Sequence, residues 1–208
     1  GNASNSGTSS FETAFMKPSE WNAKWIYAGK TPNSVFEIDF PSPVNCRYVK
    51  LDATKLGLPA STDKNYYYMQ MAEMEIYSGS TNVARTASVS ANSNWNYSTI
   101  WNLNYLTDGK INDASCLGYT TPTFSNANQH IYIIIDLKNS MNIDRIVLYP
   151  RQDDCASSGT QAANFPASFT LQTSNDGNSY NVQYTATNMA VPAYSNSSNN
   201  VPYYGRNF

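Results

Sequence analysis

The segment HIYIIIDLKNSMNIDRIVLYP, residues 130–150, constrains the fold more than any other stretch of this chain. Its first part, HIYIIIDL (130–137), is a β-branched run with no capping residue of the kind that starts a helix. It is apolar on both alternating faces apart from its ends, so it is expected to be a central strand covered on each side. IDRIVLYP (143–150) reads as a second strand after the turn KNSMN.

The rest of the chain follows the same period. SFTLQTS (168–174) alternates Phe169, Leu171 and Thr173 against Thr170 and Gln172, the pattern of a half-buried strand. The Asp-Gly of NDGNS (175–179) signals a tight hairpin into YNVQYTA. FEIDF (36–40), RYVKLDA (47–53) and YYYMQMAEMEIY (66–77) are further strands. Helical periodicity is missing, save for short turns expected near STIWNLNYL (98–106), where a Ser or Thr could cap. Many short strands broken by Pro, Gly and Asn predict an all-β antiparallel sandwich of jelly-roll type. PSPV, at 41–44, interrupts the strand pattern and is the expected boundary between an N-terminal arm and the domain.

Composition narrows the function. Only 13% of the 208 residues are charged, and Asn, Ser, Thr and Tyr take their place. That profile suits a protein outside the cell that relies on neutral hydrogen bonds. The net charge of −2, with no basic cluster, argues against nucleic acid or an anionic membrane surface as partner. No apolar run reaches the length of a membrane span. Cys46, Cys116 and Cys155 are widely spaced, which leaves open one disulfide plus a free thiol or three free thiols. GNASNSGTSS lacks a leader pattern and reads as a mature or recombinant N-terminus.

Several segments together resemble the discoidin family, the coagulation-factor 5/8 type C, galactose-binding-like domains. NVARTASVSA (82–91) resembles the family's opening strand, and YLTDGKIND (105–113) its Asp-Gly loop. HIYIIIDLKNSMNIDRIVLYPRQ (130–152) resembles the central strand pair. NFPASFTLQTSNDGNSY (164–180) resembles the stretch that ends in Trp in many members, with Tyr180 here. The family's C-terminal strands also have a counterpart, RYVKLDATKLG through YYYMQMAEMEIYSG, but it precedes everything else. Two explanations stand: the tail of a truncated tandem domain, or a circular permutation in which 45–78 supplies the missing last strands. Permutation is preferred, because 44 preceding residues cannot build another such domain and sandwich termini lie close together. The expected organisation is an arm over 1–44 packing on the sandwich, and a discoidin-like domain over 45–208. WNAKWIY (21–27) and VFEIDF (35–40) also resemble the N-terminal region of bacterial α-L-rhamnosidases.

The resemblance implies sites. Bacterial carbohydrate-binding modules of this type often hold a structural Ca²⁺ between the Asp-Gly loop and a Glu of the last strand. Those residues are Asp108 and Glu73, with Asn112 and Asp113 as further ligands. Hard oxygens from such loops suit Ca²⁺, although Asp108-Gly109 read alone is simply a turn. Sugar binding falls to Arg151, whose planar fork pairs with adjacent hydroxyls, and to His130. Trp95 and Tyr119 are the aromatic platforms expected from the polar loops, although most of the 16 Tyr, 8 Phe and 4 Trp belong in a core. Trp21 and Trp25 are assigned to anchoring the arm.

Catalysis finds no support. HExxH, GxSxG and a phosphate-cradling glycine loop are all missing, and Asp153 and Asp154 are adjacent rather than facing across a bond. The expectation is a non-catalytic carbohydrate-binding module of a secreted, cell-surface or periplasmic bacterial protein. Its partners would be galactose-like or rhamnose-containing glycans and an attached glycoside hydrolase module. The alternatives are a structural spacer packed on such a hydrolase, or a protein-binding adhesin.

Overall fold

The structure is a computed structural model and describes residues 35–60, 63, 65–96, 99–111, 116–151, 157–158, 161–190 and 192. The chain divides into two compact units, 1–30 and 31–208, and the first lies outside the described residues. The expected arm and its anchors Trp21 and Trp25 therefore lie outside them too, apart from 35–44.

The strands are β1 (Phe36–Lys55), β2 (Gln70–Met71), β3 (Glu73–Ser78), β4 (Thr81–Asn82), β5 (Ser88–Ala91), β6 (Tyr119–Thr120), β7 (Ile131–Tyr149), β8 (Ser157–Ser158), β9 (Gln161–Ala162), β10 (Ser168–Ser174) and β11 (Asn181–Ala186). All named ladders are antiparallel. The main sheet runs β11-β10-β1-β7-β3-β4, with β5 also on β7. This is the all-β antiparallel sandwich expected from the alternation, and no α-helix occurs among the described residues.

Two long strands organise it. β1 and β7 pair along their whole length, from Phe36 opposite Leu148 to Ala53 opposite Ile131. The ladder shifts register between Asp39 and Val44 and again between Cys46 and Tyr48. Pro41 and Pro43 lie in the first irregularity, where a missing N–H costs no ladder bond. PSPV is thus a bend inside β1 rather than a boundary, and 36–44 belong to the sheet. KNSMN is likewise a bend inside β7. Lys138 takes a φ of 73° there, and Met141–Ile143 pair with Val44–Cys46 immediately after it.

Each half of this bent ribbon recruits different neighbours. The half with Tyr48–Ala53 and Ile131–Asp136 takes β10, β11 and β5. The half with Phe36–Asp39 and Arg145–Leu148 takes β3 and β4. Inward residues of both halves share one core: Val49, Leu51, Ile133, Ile135 and Leu171 from the first, Ile38, Met74, Ile76, Ile146 and Leu148 from the second. Each such side chain contributes about 1.5–3 kcal/mol on full burial. Only one face of the 131–137 run is fully buried, since Tyr132 and Ile134 are half-exposed, so the expected cover on both sides is incomplete.

YYYMQMAEMEIY is not one strand. Ala72 breaks it, leaving β2 to pair with β6 and β3 with β7. A 3-10 turn covers Leu103–Thr107, within the segment where a helical turn was expected, but its cap is Asn102, which accepts from the Asn104 N–H at 2.9 Å. A second 3-10 turn, Val83–Thr86, interrupts the expected opening strand, again with an Asn cap, Asn82.

Candidate functional site

A row of backbone pairings crosses five segments, the short strands β2 and β6 among them. The Asn164 N–H donates to the Leu58 carbonyl at 2.8 Å, and the Gln70 N–H to the Asn164 carbonyl at 3.0 Å. Gln70 pairs with Thr120 through β2 and β6, and the Trp95 N–H donates to the Thr120 carbonyl at 2.8 Å. Asn164 holds a φ of 63°, a left-handed conformation that Asn tolerates better than most residues.

The side chains above this row form a buried polar cluster. Arg151 Nη1 donates to Gln70 Oε1 at 2.7 Å, and Asn164 Nδ2 donates to the same oxygen at 2.6 Å. Gln70 Nε2 donates to Thr120 Oγ1 at 2.9 Å. The Arg151 guanidinium stacks over the Trp101 ring, 5.3 Å from its centroid. Arg151, Gln70, Asn164, Thr120 and Trp101 are all buried. Asn164 Oδ1 has no hydrogen-bond partner, which is unusual for a buried amide. Exposed apolar side chains flank the cluster: Leu58 and Trp95 at the two ends of the row, and Tyr66 on the segment leading into β2.

The expected sugar-binding residues divide here. Arg151 joins this cluster, and Trp95, 44% exposed, stands at its edge. Tyr119 is a correction: it is fully buried, with its hydroxyl donating to the Ser93 carbonyl at 2.6 Å, so its ring belongs to the core and offers no platform. Its place in β6 sets its ring on the inward side, next to Thr120, which stays with the polar cluster. Trp101, in the polar stretch NSNWNYSTIWN (92–102) that also holds Trp95, is buried too, against Arg151. His130 goes elsewhere. Its Nε2 lies 2.7 Å from Asp52 Oδ1, on a sheet face where Lys50 Nζ also meets Asp52 at 2.7 Å. Gln70, Asn164 and Thr120 were not foreseen, because nothing local marks them; they meet Arg151 only through pairing across the fold.

The expected metal ligands lie on another part of the fold. Glu73 on β3 is fully buried; its Oε1 accepts from the Gly109 N–H at 2.9 Å, and its Oε2 has no hydrogen-bond partner. Burial pushes its pKa up to about 9, against the hydrogen bond from Gly109; the nearby Asp108 carboxylate raises it further. Asp108 accepts from the Lys110 N–H at 2.9 Å and from the Cys116 thiol at 3.1 Å. Asn112 and Asp113 lie outside the described residues. Among the described residues, no group of three or more His, Cys, Asp or Glu could hold a metal. Cys46 and Cys116 are buried, and burial raises the Cys46 pKa to about 11. Cys155 lies outside the described residues.

An antiparallel sandwich that gathers a neutral and cationic hydrogen-bonding cluster among its loops has the architecture of a binding module. The family model for the F5/8 type C domain matches residues 86–204, more than half of the chain, and the chain belongs to that family of discoidin domains. No curated protein and no solved structure matches it. Discoidin domains bind carbohydrate or protein, are typically non-catalytic, and occur in extracellular proteins. No helix among the described residues is long and apolar enough to cross a membrane.

Proposed function

We propose that this domain is a non-catalytic carbohydrate-binding module of a secreted bacterial glycan-degrading protein, and that it takes galactose-like or rhamnose-containing glycans near Arg151. The observation that carries the reading is the Arg151–Gln70–Asn164–Thr120 cluster beside the exposed Trp95 ring. A pyranose presents hydroxyls to planar donors and a CH face to an aromatic ring. Arg151 supplies paired donors and Trp95 the ring. Affinity for a single sugar is weak on this reading, because a small ligand has few atoms to contact. Attachment to a glycoside hydrolase module then acts by raising the enzyme's effective concentration at its substrate.

Ca²⁺ is part of the proposal as a structural ion. Glu73 and Asp108 would hold it, with Asn112 and Asp113 adding oxygens. The support is Glu73 Oε2, a buried carboxylate oxygen without a hydrogen-bond partner beside a second carboxylate. Bound there, the ion would offset both charges and tie the 108–113 loop to β3. The domain organisation is proposed as permuted. β1 and β3 precede the matched residues 86–204 in sequence yet pair with β7 inside them, as the family's last strands would.

Thermal-shift measurements with galactose and rhamnose, each with and without calcium, test the whole reading. A ligand that binds only the folded state raises Tm. A sugar-specific rise supports the module and names its sugar. No rise with either sugar or with longer glycans containing them removes it. A rise with calcium alone supports the ion and not the sugar site. The exposed Leu58, Tyr66 and Trp95 favour a second reading, a protein-binding surface; an association with a protein partner that neither sugar competes away would establish it.

A further inference from the structure

The segment that leads into β2 alternates without a break. Tyr67, Met69 and Met71 pack into the core, so Tyr66, Tyr68 and Gln70 face the opposite way. Its backbone is fixed. Tyr67 and Phe124 exchange backbone hydrogen bonds at 2.9 and 2.8 Å, and the Tyr66 N–H donates to the Asp63 carbonyl at 2.8 Å. Tyr66 therefore stands on an ordered turn with 58% of it exposed, while Tyr68 is half-buried. Tyr68 links it to the polar cluster. Burial raises the Tyr68 pKa, and Asp63, Tyr66 and Arg151 all act electrostatically on its hydroxyl.

Strand geometry sets the scale. Tyr66 precedes Gln70 by four residues, roughly 13 Å along the segment. Trp95 lies two strand spacings from Gln70, roughly 10 Å across it. The backbones that carry the two exposed rings are thus roughly 16 Å apart. A single pyranose covers one such ring and does not reach the other. Leu58, Tyr66 and Trp95 are three of the four large apolar side chains exposed among the described residues, and the fourth, Val182, sits away on β11. Between Tyr66 and Trp95 lie Tyr68, Gln70 and Thr120, which carry a phenol, an amide and a hydroxyl. Asp63 and Arg151 flank them with opposite charges, so the strip as a whole suits a neutral, hydroxyl-rich chain.

We propose that this strip takes a glycan chain rather than a single sugar, and that Tyr66 is the aromatic platform of a further subsite, with Tyr68 between it and the polar cluster. The inference rests on the reading of the Trp95 end as a sugar site. One sugar ring offers few atoms to contact. A second ring of the same chain then binds as an intramolecular event, at high effective concentration.

The test is calorimetry on the full chain. The probes are galactose and galactan oligosaccharides from the disaccharide to the hexasaccharide, with rhamnose and rhamnogalacturonan oligosaccharides as a second series. Affinity should climb with chain length and level off once the chain spans both rings. Tyr66→Ala should cut the ratio of hexasaccharide to monosaccharide affinity about 3- to 10-fold, the worth of one aromatic contact. Tyr66→Phe keeps the ring and should keep the ratio. A general loss of stability would lower both affinities alike and leave the ratio unchanged. Equal affinity for monosaccharide and hexasaccharide overturns the proposal and leaves the sugar site standing. An unchanged ratio in a folded Tyr66→Ala also overturns it, and gives Tyr66 to the protein-binding reading. If that variant does not fold, the length series on the unaltered protein decides. Binding to no probe of any length overturns the sugar reading and this proposal with it.

Discussion

Gly118 joins the floor of the polar cluster to the loop before it, and its replacement by alanine gives the sharpest test of how tightly that floor is built. Its φ is 109°, outside the range where an L-residue is comfortable. A Cβ there would sit 2.6 Å from Ala72 Cα and closer still to the Met71 carbonyl oxygen. These are backbone atoms of the break between β2 and β3, so they cannot swing aside as a side chain tip would. The strained backbone costs about 1–3 kcal/mol, and the forced separation of the two segments about 1–3 kcal/mol more. The sum, about 2–6 kcal/mol, lowers Tm by roughly 2–4 °C per kcal/mol in a domain of this size. Gly79 supplies the control. Its φ is 59°, and no atom lies within 4 Å of a Cβ built there, so Gly79→Ala bears only the conformational cost, about 1–2 kcal/mol. Urea titration of both variants separates strain from overlap. A Gly118→Ala protein no less stable than Gly79→Ala refutes the close approach of Gly118 to β2.

Three further outcomes follow from the same geometry. Arg151→Ala leaves Gln70 Oε1 with one donor and uncovers Trp101, so a loss of about 1–3 kcal/mol is expected in chemical denaturation, together with the loss of sugar binding. Asp136, in a bidentate pair with Arg47 at 2.8 and 3.0 Å, has its pKa lowered to about 2, first by that hydrogen bond. A carboxylate lowered from its unfolded value of 3.8 adds stability above that pH, and the gain disappears as pH falls towards 2. Arg47→Met should therefore flatten the acid limb of the stability curve below pH ~4, and only slightly, because solvent screens the pair. A chain that starts at Ser80 lacks the strands that flank β7 on both sides, and should show no cooperative unfolding by circular dichroism, whereas adding residues 36–79 as a separate peptide should restore it.

Period and turn chemistry carried most of the fold. Phe169, Leu171 and Thr173 face inward as the alternation in SFTLQTS requires, and Gly177, in the Asp-Gly turn, takes the positive φ of 73° that such a turn needs. The long strands were misjudged at PSPV and KNSMN for one reason. Both segments look like breakers alone, but the ladder resumes past each irregularity: Val44 pairs with Ile143, and Asn142 and Met141 of KNSMN pair with Asn45 and Cys46. Tyr119 was misread for a related reason: a tyrosine in a polar stretch reads as exposed, while its burial is decided by which strand lies opposite.

The strand content, the sandwich class and the family were determined by the sequence itself, because alternation, turns and a motif are properties of neighbouring residues. The tertiary structure alone decided what surrounds Arg151. Gln70 and Asn164 lie 81 and 94 positions from the residues they bond, and His130 reaches an aspartate 78 positions away instead of the polar cluster. Such contacts depend on strand register and on the bend of β1 against β7. Register arises from burying the whole core at once, so no local run of residues encodes it.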